Sequence, residues 1–206
     1  MIKFERLDAP GAAMDMPNVD TDQIIPARFL WRPRSEGYGE LLFNDIRTNE
    51  DGTKKPGFML NRKENEGAQV LVADRNFGCG SSREHAVWAL LDAGIRVVVA
   101  PSFGDIFFNN ALKNGLLPIV LPERRCGELR AALNRNPGAH LVVDLEAQTV
   151  SGPVGFNDGG GTDGFEIDPF RKQLLLSGMD DITFTMSQQD RIGEFEARYR
   201  AAMPWV

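Results

Sequence analysis

The sequence predicts an α/β fold built on a largely parallel sheet, and three observations carry the prediction. Apolar runs alternate with helix-like stretches between Val70 and Asn134. The apolar runs are short and Val-rich, as in strands buried on both faces. A glycine stands at the end of each of the first two helical stretches, Gly94 and Gly115. This β-α-β-α-β-α order implies parallel pairing through right-handed crossovers.

Taken in order, Phe4–Leu7 is the expected first strand, followed by a turn of small residues. A dense polar loop, Asn18 to Ala27, comes next; its Asx side chains suit bonds to their own backbone. Arg28–Glu66 is a long, mostly irregular excursion with Leu41-Leu42-Phe43 as a buried patch, and loops of that length are functional or mobile. Strand Val70–Ala73, helix Ser82–Ala93, strand Arg96–Ala100 and a helix from Pro101-Ser102 to Asn114 follow. Leu116–Leu121 and Glu123–Asn134 complete the alternation. Beyond it, His140–Val150 and Phe165–Ile167 are expected strands flanking Ser151–Gly164, which holds six glycines. Asp168–Gly178 is a short helix with Phe170, Leu174 and Leu175 inward, and Asp181–Met186 a brief strand. Ser187 caps a last helix to Met203, with Ile192, Phe195, Tyr199 and Met203 in register. No repeat or strong linker divides residues 1–206, so one domain is expected.

Composition narrows the function. The 206 residues carry a net charge of −6, which argues against a nucleic-acid footprint but not against a small anion met by a local arginine. No apolar stretch approaches the ~20 residues of a membrane span, and the opening residues lack a signal-peptide pattern. Two cysteines, Cys79 and Cys126, make no disulfide framework, which points to a reducing cytoplasm. With His85 and His140 as the only histidines, the chain is not expected to hold an iron–sulfur cluster, or any other metal, alone.

Chemistry concentrates in Phe77-Gly78-Cys79-Gly80-Ser81-Ser82-Arg83-Glu84-His85-Ala86, at a strand–helix junction. Unpaired helix N–H groups, the positive dipole end and the glycines suit such a turn to anions. It is not a nucleotide fingerprint: Arg83 stands where a third small residue is needed, and no Gly-Lys-Ser/Thr is present. It is not a nucleophile elbow, since Ser81 lies between Gly80 and Ser82. Plainer roles exist for each residue. Ser82 fits an N-cap, Ser81 a turn, Arg83 a surface ion pair, His85 a bond to a nearby carbonyl and Cys79 a small packing residue.

Three segments together resemble the swivelling domain of the aconitase family: Asn18-Val19-Asp20-Thr21-Asp22-Gln23-Ile24-Ile25-Pro26, Asn76 to Ala86, and Ala100-Pro101-Ser102-Phe103-Gly104-Asp105-Ile106-Phe107. Over nearly the whole length the chain looks like the small subunits of the isopropylmalate dehydratases. The resemblance implies a three-layer β/β/α swivelling domain with parallel strands at the active-site edge. It also implies a hydro-lyase that shifts a hydroxyl between neighbouring carbons of a small dicarboxylate. The [4Fe–4S] cluster would belong to a separate large subunit, leaving no cofactor on this chain, and neither nucleic acid nor membrane would be a partner.

The same resemblance implies residue roles. Ser81 would be the general base, Ser82 and the turn N–H groups at Gly80 donors, and Arg83 the clamp on a substrate carboxylate. Asp22 matches an active-site aspartate and Arg28 a substrate-binding arginine. Trp31, third in Phe29-Leu30-Trp31-Arg32, stands where related enzymes tune substrate, and favours an apolar substituent such as isopropyl. Trp31-Arg32-Pro33-Arg34 departs from the commoner small-subunit pattern, which leaves another small dicarboxylate open. Cys79 stands where larger aconitases carry Glu. A non-catalytic dicarboxylate-binding module is the alternative from a different class.

Overall fold

The chain enters its sheet through the middle. In the computed structural model, which describes residues 1–153, 161–203 and 205, strand β1 (Arg6–Ala13) has a parallel neighbour on one side and an antiparallel one on the other. On the parallel side lie β2 (Val70–Val72), β3 (Val97–Ala100) and β4 (Leu117–Val120). On the other side lie β5 (His140–Asp144), β6 (Thr149–Ser151) and β7 (Thr162–Gly164). The order is β4-β3-β2-β1-β5-β6-β7. Pro118 is tolerated because β4 is an edge.

The helices are α1 (Thr21–Ile24), α2 (Asn44–Arg47), α3 (Glu84–Asp92), α4 (Asp105–Asn114), α5 (Glu123–Arg135), α6 (Pro169–Ser177), α7 (Asp181–Ser187) and α8 (Gln189–Ala202). The step from β1 to β4 always moves the same way across the sheet, so right-handed crossovers place the 14–69 excursion, α3 and α4 on one face. The core agrees. Leu71 and Val98 pack in a cluster with Ile24, Phe43, Leu90 and Phe107, while their neighbours Val70, Val72, Val97 and Val99 pack with Leu129 and Leu133 of α5. Strand alternation thus divides two cores between the faces. The outcome is the layered α/β fold expected, with parallel strands at one end and antiparallel β5–β7 flanking them.

Several elements differ from expectation. The first strand starts at Arg6 and runs through Ala9-Pro10-Gly11-Ala12-Ala13, a stretch whose small residues read as a turn. Pairing on both edges overrides weak β propensity here, and the missing side chain of Gly11 leaves room for Leu133 and Leu141. Phe165–Ile167 is not a strand; pairing stops at Gly164, and Phe165 is a buried residue just beyond. The rest of that glycine-rich stretch, 154–160, lies outside the described residues. Asp181–Met186 is helical, because Asp180 caps Thr183 N–H at 2.7 Å and outweighs the β-branched pattern. Helix α8 starts at Gln189 with no side-chain cap, so Ser187 is not its cap. Its stripe of Ile192, Phe195, Tyr199 and Met203 is exposed rather than packed, as is Phe170.

Helices α3 and α4 start later than expected, and the reason shapes the site. Residues after β2 and β3 continue to pair beyond the sheet: Phe77 bridges Phe103, and Cys79 bridges Asp20. This leaves Ser81 and Ser82 outside α3, whose N-cap position is Arg83, and keeps Pro101–Gly104 out of α4. The crossing of these loops requires Gly78. Its φ is +73°, and a Cβ there would stand 2.2 Å from Cγ of Phe107. Gly78→Ala combines left-handed strain with overpacking, and is expected to cost about 2–4 kcal/mol. Urea unfolding should show a lower midpoint; an unchanged midpoint would mean that Phe107 moves aside freely.

Candidate active site

Three loops meet where the parallel strands end, the usual place for ligands in open α/β sheets. From β1 comes the 14–25 segment, from β2 the 73–83 turn, and from β3 the 101–104 turn. Backbone bonds weld them: Gly78 N–H to Val19 O at 2.7 Å, Thr21 N–H to Cys79 O at 2.9 Å, Phe77 N–H to Ser102 O at 3.1 Å and Gly104 N–H to Phe77 O at 2.9 Å. Asn18 and Asn76, both in left-handed conformation, join by a side-chain bond of 2.9 Å. Asp20 caps α1 through a capping box with Gln23, which fixes residues 21 and 22 beside the turn.

The turn then presents a bonded trio. Arg83 Nε donates to Ser81 Oγ at 3.1 Å, Arg83 Nη1 donates to Asp22 Oδ1, and the same nitrogen lies 3.5 Å from Ile25 O. The Arg83 side chain is only 16% exposed, so its direction is set by these partners, while Asp22 is half exposed. Its Nη2 makes no hydrogen bond among the described residues and remains available to an anion. Ser81 is exposed, and its oxygen already accepts from a cation. Thr21 hydroxyl donates to Ser81 O at 3.0 Å. Gly80 has φ +94°, and a Cβ there would lie 3.5 Å from Thr21 Oγ1, an ordinary contact.

Other expected residues lie differently. Arg28 is gripped by Asp45 through both terminal nitrogens and by Asn44 at 3.0 Å. That pairing raises the Arg28 pKa and lowers that of Asp45, chiefly through the hydrogen bond. Trp31 is 79% exposed. Ser82 is exposed and makes no side-chain hydrogen bond among the described residues; it does not cap α3. His85 makes no hydrogen bond to a carbonyl among the described residues. Its ring sits 4.6 Å from that of Trp88 and edge-on to buried Tyr38. Thr21, Asn18 and Asn76 do not stand out from sequence, since a run of polar loop residues carries no mark of which one faces a turn 60 positions away.

Comparisons with known families cover most of the chain. The aconitase C-terminal domain model matches residues 1–124 and a LeuD_N model residues 128–169. The model for the C-terminal domain of the 3-isopropylmalate dehydratase small subunit matches residues 181–206. The 3-isopropylmalate dehydratase small subunit of Dinoroseobacter shibae is 49% identical over 206 residues, covering 100% of both chains. That of Paramagnetospirillum magneticum is 48% identical with the same coverage. The chain belongs to the 3-isopropylmalate dehydratase small-subunit family. A crystal structure of 3-isopropylmalate dehydratase from Methanocaldococcus jannaschii superposes with a TM-score of 0.61 at 25% identity, covering 92% of this chain and 98% of that one. Membership makes the chain part of a two-subunit hydro-lyase of leucine biosynthesis, with a large-subunit partner.

Membership of the aconitase family implies an iron–sulfur cluster in the large subunit. Burial pushes the Cys126 thiol up to about 12, and its sulfur lies 3.5 Å from Leu121 O. Burial and then the charge of Asp20 raise the Cys79 thiol as well. Neither is poised as a thiolate, and among the described residues no group of three His, Cys, Asp or Glu could hold a metal. No described helix is long and apolar enough to cross a membrane.

Burial also lowers the His85 pKa from its ordinary 6.5, against a smaller opposite effect of Glu84. The unfolded chain therefore binds the proton first. Stability should fall as pH drops below about 6.5, through the folded-state value. His85→Phe should flatten that part of a pH series of urea midpoints; an unchanged slope would assign the acid sensitivity elsewhere.

Proposed function

We propose that this chain supplies the proton-transfer half of an active site that interconverts 2-isopropylmalate and 3-isopropylmalate, working in the cytoplasm with a cluster-bearing large subunit. The observation that carries the reading is the 3.1 Å bond from Arg83 Nε to Ser81 Oγ, with Arg83 in turn held by Asp22. Dehydration breaks a C–H bond beside a carboxylate and a C–O bond on the next carbon; rehydration remakes them with the positions exchanged. Ser81 Oγ takes the proton and later returns it. A serine alkoxide is unfavourable in water, and the donated guanidinium proton offsets part of that cost. Arg83 Nη2 clamps a substrate carboxylate, and Ser82 hydroxyl and the N–H groups around Gly80 receive charge that develops there. A [4Fe–4S] cluster bound in the large subunit would supply Lewis-acid chemistry for the departing hydroxyl.

Asp22 acts by holding Arg83. The excursion Arg28–Glu66 serves as the specificity lid. Arg28 is fixed on Asp45 at its base, and Trp31 is the apolar wall against the isopropyl group. Tyr38, Leu42 and Phe43, all buried, anchor it, and Arg34 ties it to Asp92 of α3 at 2.6 Å, so closure belongs to the few residues around exposed Trp31.

Reconstitution with a large subunit of the family tests the reading. The complex should interconvert the two isopropylmalates, and the chain alone should not; turnover by the chain alone without iron would overturn the division of labour. In the complex, Ser81→Ala should lower turnover by roughly two to four orders of magnitude with assembly intact, the range of a general base. Arg83→Lys keeps the charge but loses the fork, so kcat and KM should both worsen, by about 100-fold together in kcat/KM. Wild-type kinetics in either variant would remove that residue from the mechanism.

A further inference from the structure

We propose that Thr21 is a positioning residue for Ser81, an inference that rests on the proposed role of Ser81 as base. Thr21 is 2% exposed, and it and Asn65 are the buried polar residues among those described. A buried hydroxyl must be bonded, and it has one proton to donate. Thr21 gives that proton to Ser81 O at 3.0 Å, across 60 positions of sequence. Its own N–H goes to Cys79 O at 2.9 Å. One residue therefore grips the turn on both sides of Gly80, the point where a φ of +94° leaves the backbone least restrained by side-chain sterics.

Ser81 needs such a grip because it lies outside both β2 and α3. Rotation of its peptide would carry Oγ away from Arg83 Nε, and a base displaced by even 1 Å loses much of its rate. The neighbouring residue completes the device. Asp22 fixes the guanidinium, Thr21 fixes the backbone that carries the oxygen, and both are set by the capping box of α1. Valine has the shape of threonine but would leave the Ser81 carbonyl without its donor.

The experiment uses the reconstituted two-subunit enzyme with Thr21→Val, Thr21→Ala and Thr21→Ser. Loss of the donor in the first two should lower kcat about tenfold with KM within about twofold, a change of about 1.4 kcal/mol in the barrier. Thr21→Ser, which keeps the donor, should come within about threefold of wild type. The alanine variant leaves room where valine fits, so a misfit of valine alone does not decide the result. In a Ser81→Ala background, Thr21→Val should add little, because the two act as a unit. Unchanged kcat in both donorless variants overturns the inference, as does an equal loss in Thr21→Ser or full additivity with Ser81→Ala. Should Ser81→Ala itself turn over normally, the base reading fails and takes this inference with it. A large Ser81→Ala effect with silent Thr21 variants sinks the inference alone.

Discussion

The site depends on how closely one stretch of backbone can lie against the ring of Phe107. Gly78 has no side chain, so the 77–80 segment settles between that ring and the polar loop after β1. Once seated there, its N–H and carbonyl groups find partners at Val19, Ser102, Gly104 and Thr21, and the loops behave as a further row of the sheet. Buried backbone groups demand such partners, so the seat and the pairing support each other. Ser81 and Arg83 inherit their positions from a bridged frame instead of from free loops.

The same frame explains how an acidic protein presents a cation. Arg83 is mostly covered, and one of its nitrogens pairs with half-exposed Asp22. Its Nε edge is directed at Ser81 Oγ, 3.1 Å away, and Nη2 makes no hydrogen bond among the described residues. A guanidinium can do both at once because its donors are spread around a rigid plane. Arg28 shows the contrasting case, a guanidinium whose fork is filled by Asp45 on its own segment.

Much of this was legible from residues alone, and the remainder was illegible for definable reasons. The Val-rich runs gave β2, β3 and β4 nearly to the residue, because burial on both faces leaves an unambiguous signal. Gly94 and Gly115 ended their helices in left-handed conformation, as their positions implied. Helix starts were harder. Ser82 and Pro101 both have the chemistry of helix openings, but bridges at nearby Phe77, Cys79 and Phe103 hold the adjoining backbone, and α3 and α4 begin only at Glu84 and Asp105. The pattern Asp181–Met186 favours a strand, yet Asp180 caps a helix there. At the site, Ser81, Arg83 and Asp22 stood out by motif, whereas Thr21 became visible only when its hydroxyl was seen against Ser81 O. Long-range bonds of that kind leave no periodicity to detect.

The placement of the long excursion has an evolutionary consequence. It joins two strands that pair directly, with Gly11 opposite Val70, so its ends are held together by the sheet whatever lies between them. The entropy of closing a loop grows only with the logarithm of its length, about 0.6 kcal/mol for each doubling. Insertions or deletions in its exposed turns, such as 49–55, can therefore accumulate at small thermodynamic penalty while the buried Ile24, Tyr38, Leu42 and Phe43 and the strands β1 and β2 keep their spacing. One scaffold can then vary in the exposed turns of a single insert while the strands, and the Ser81 and Arg83 turn that follows β2, stay in place.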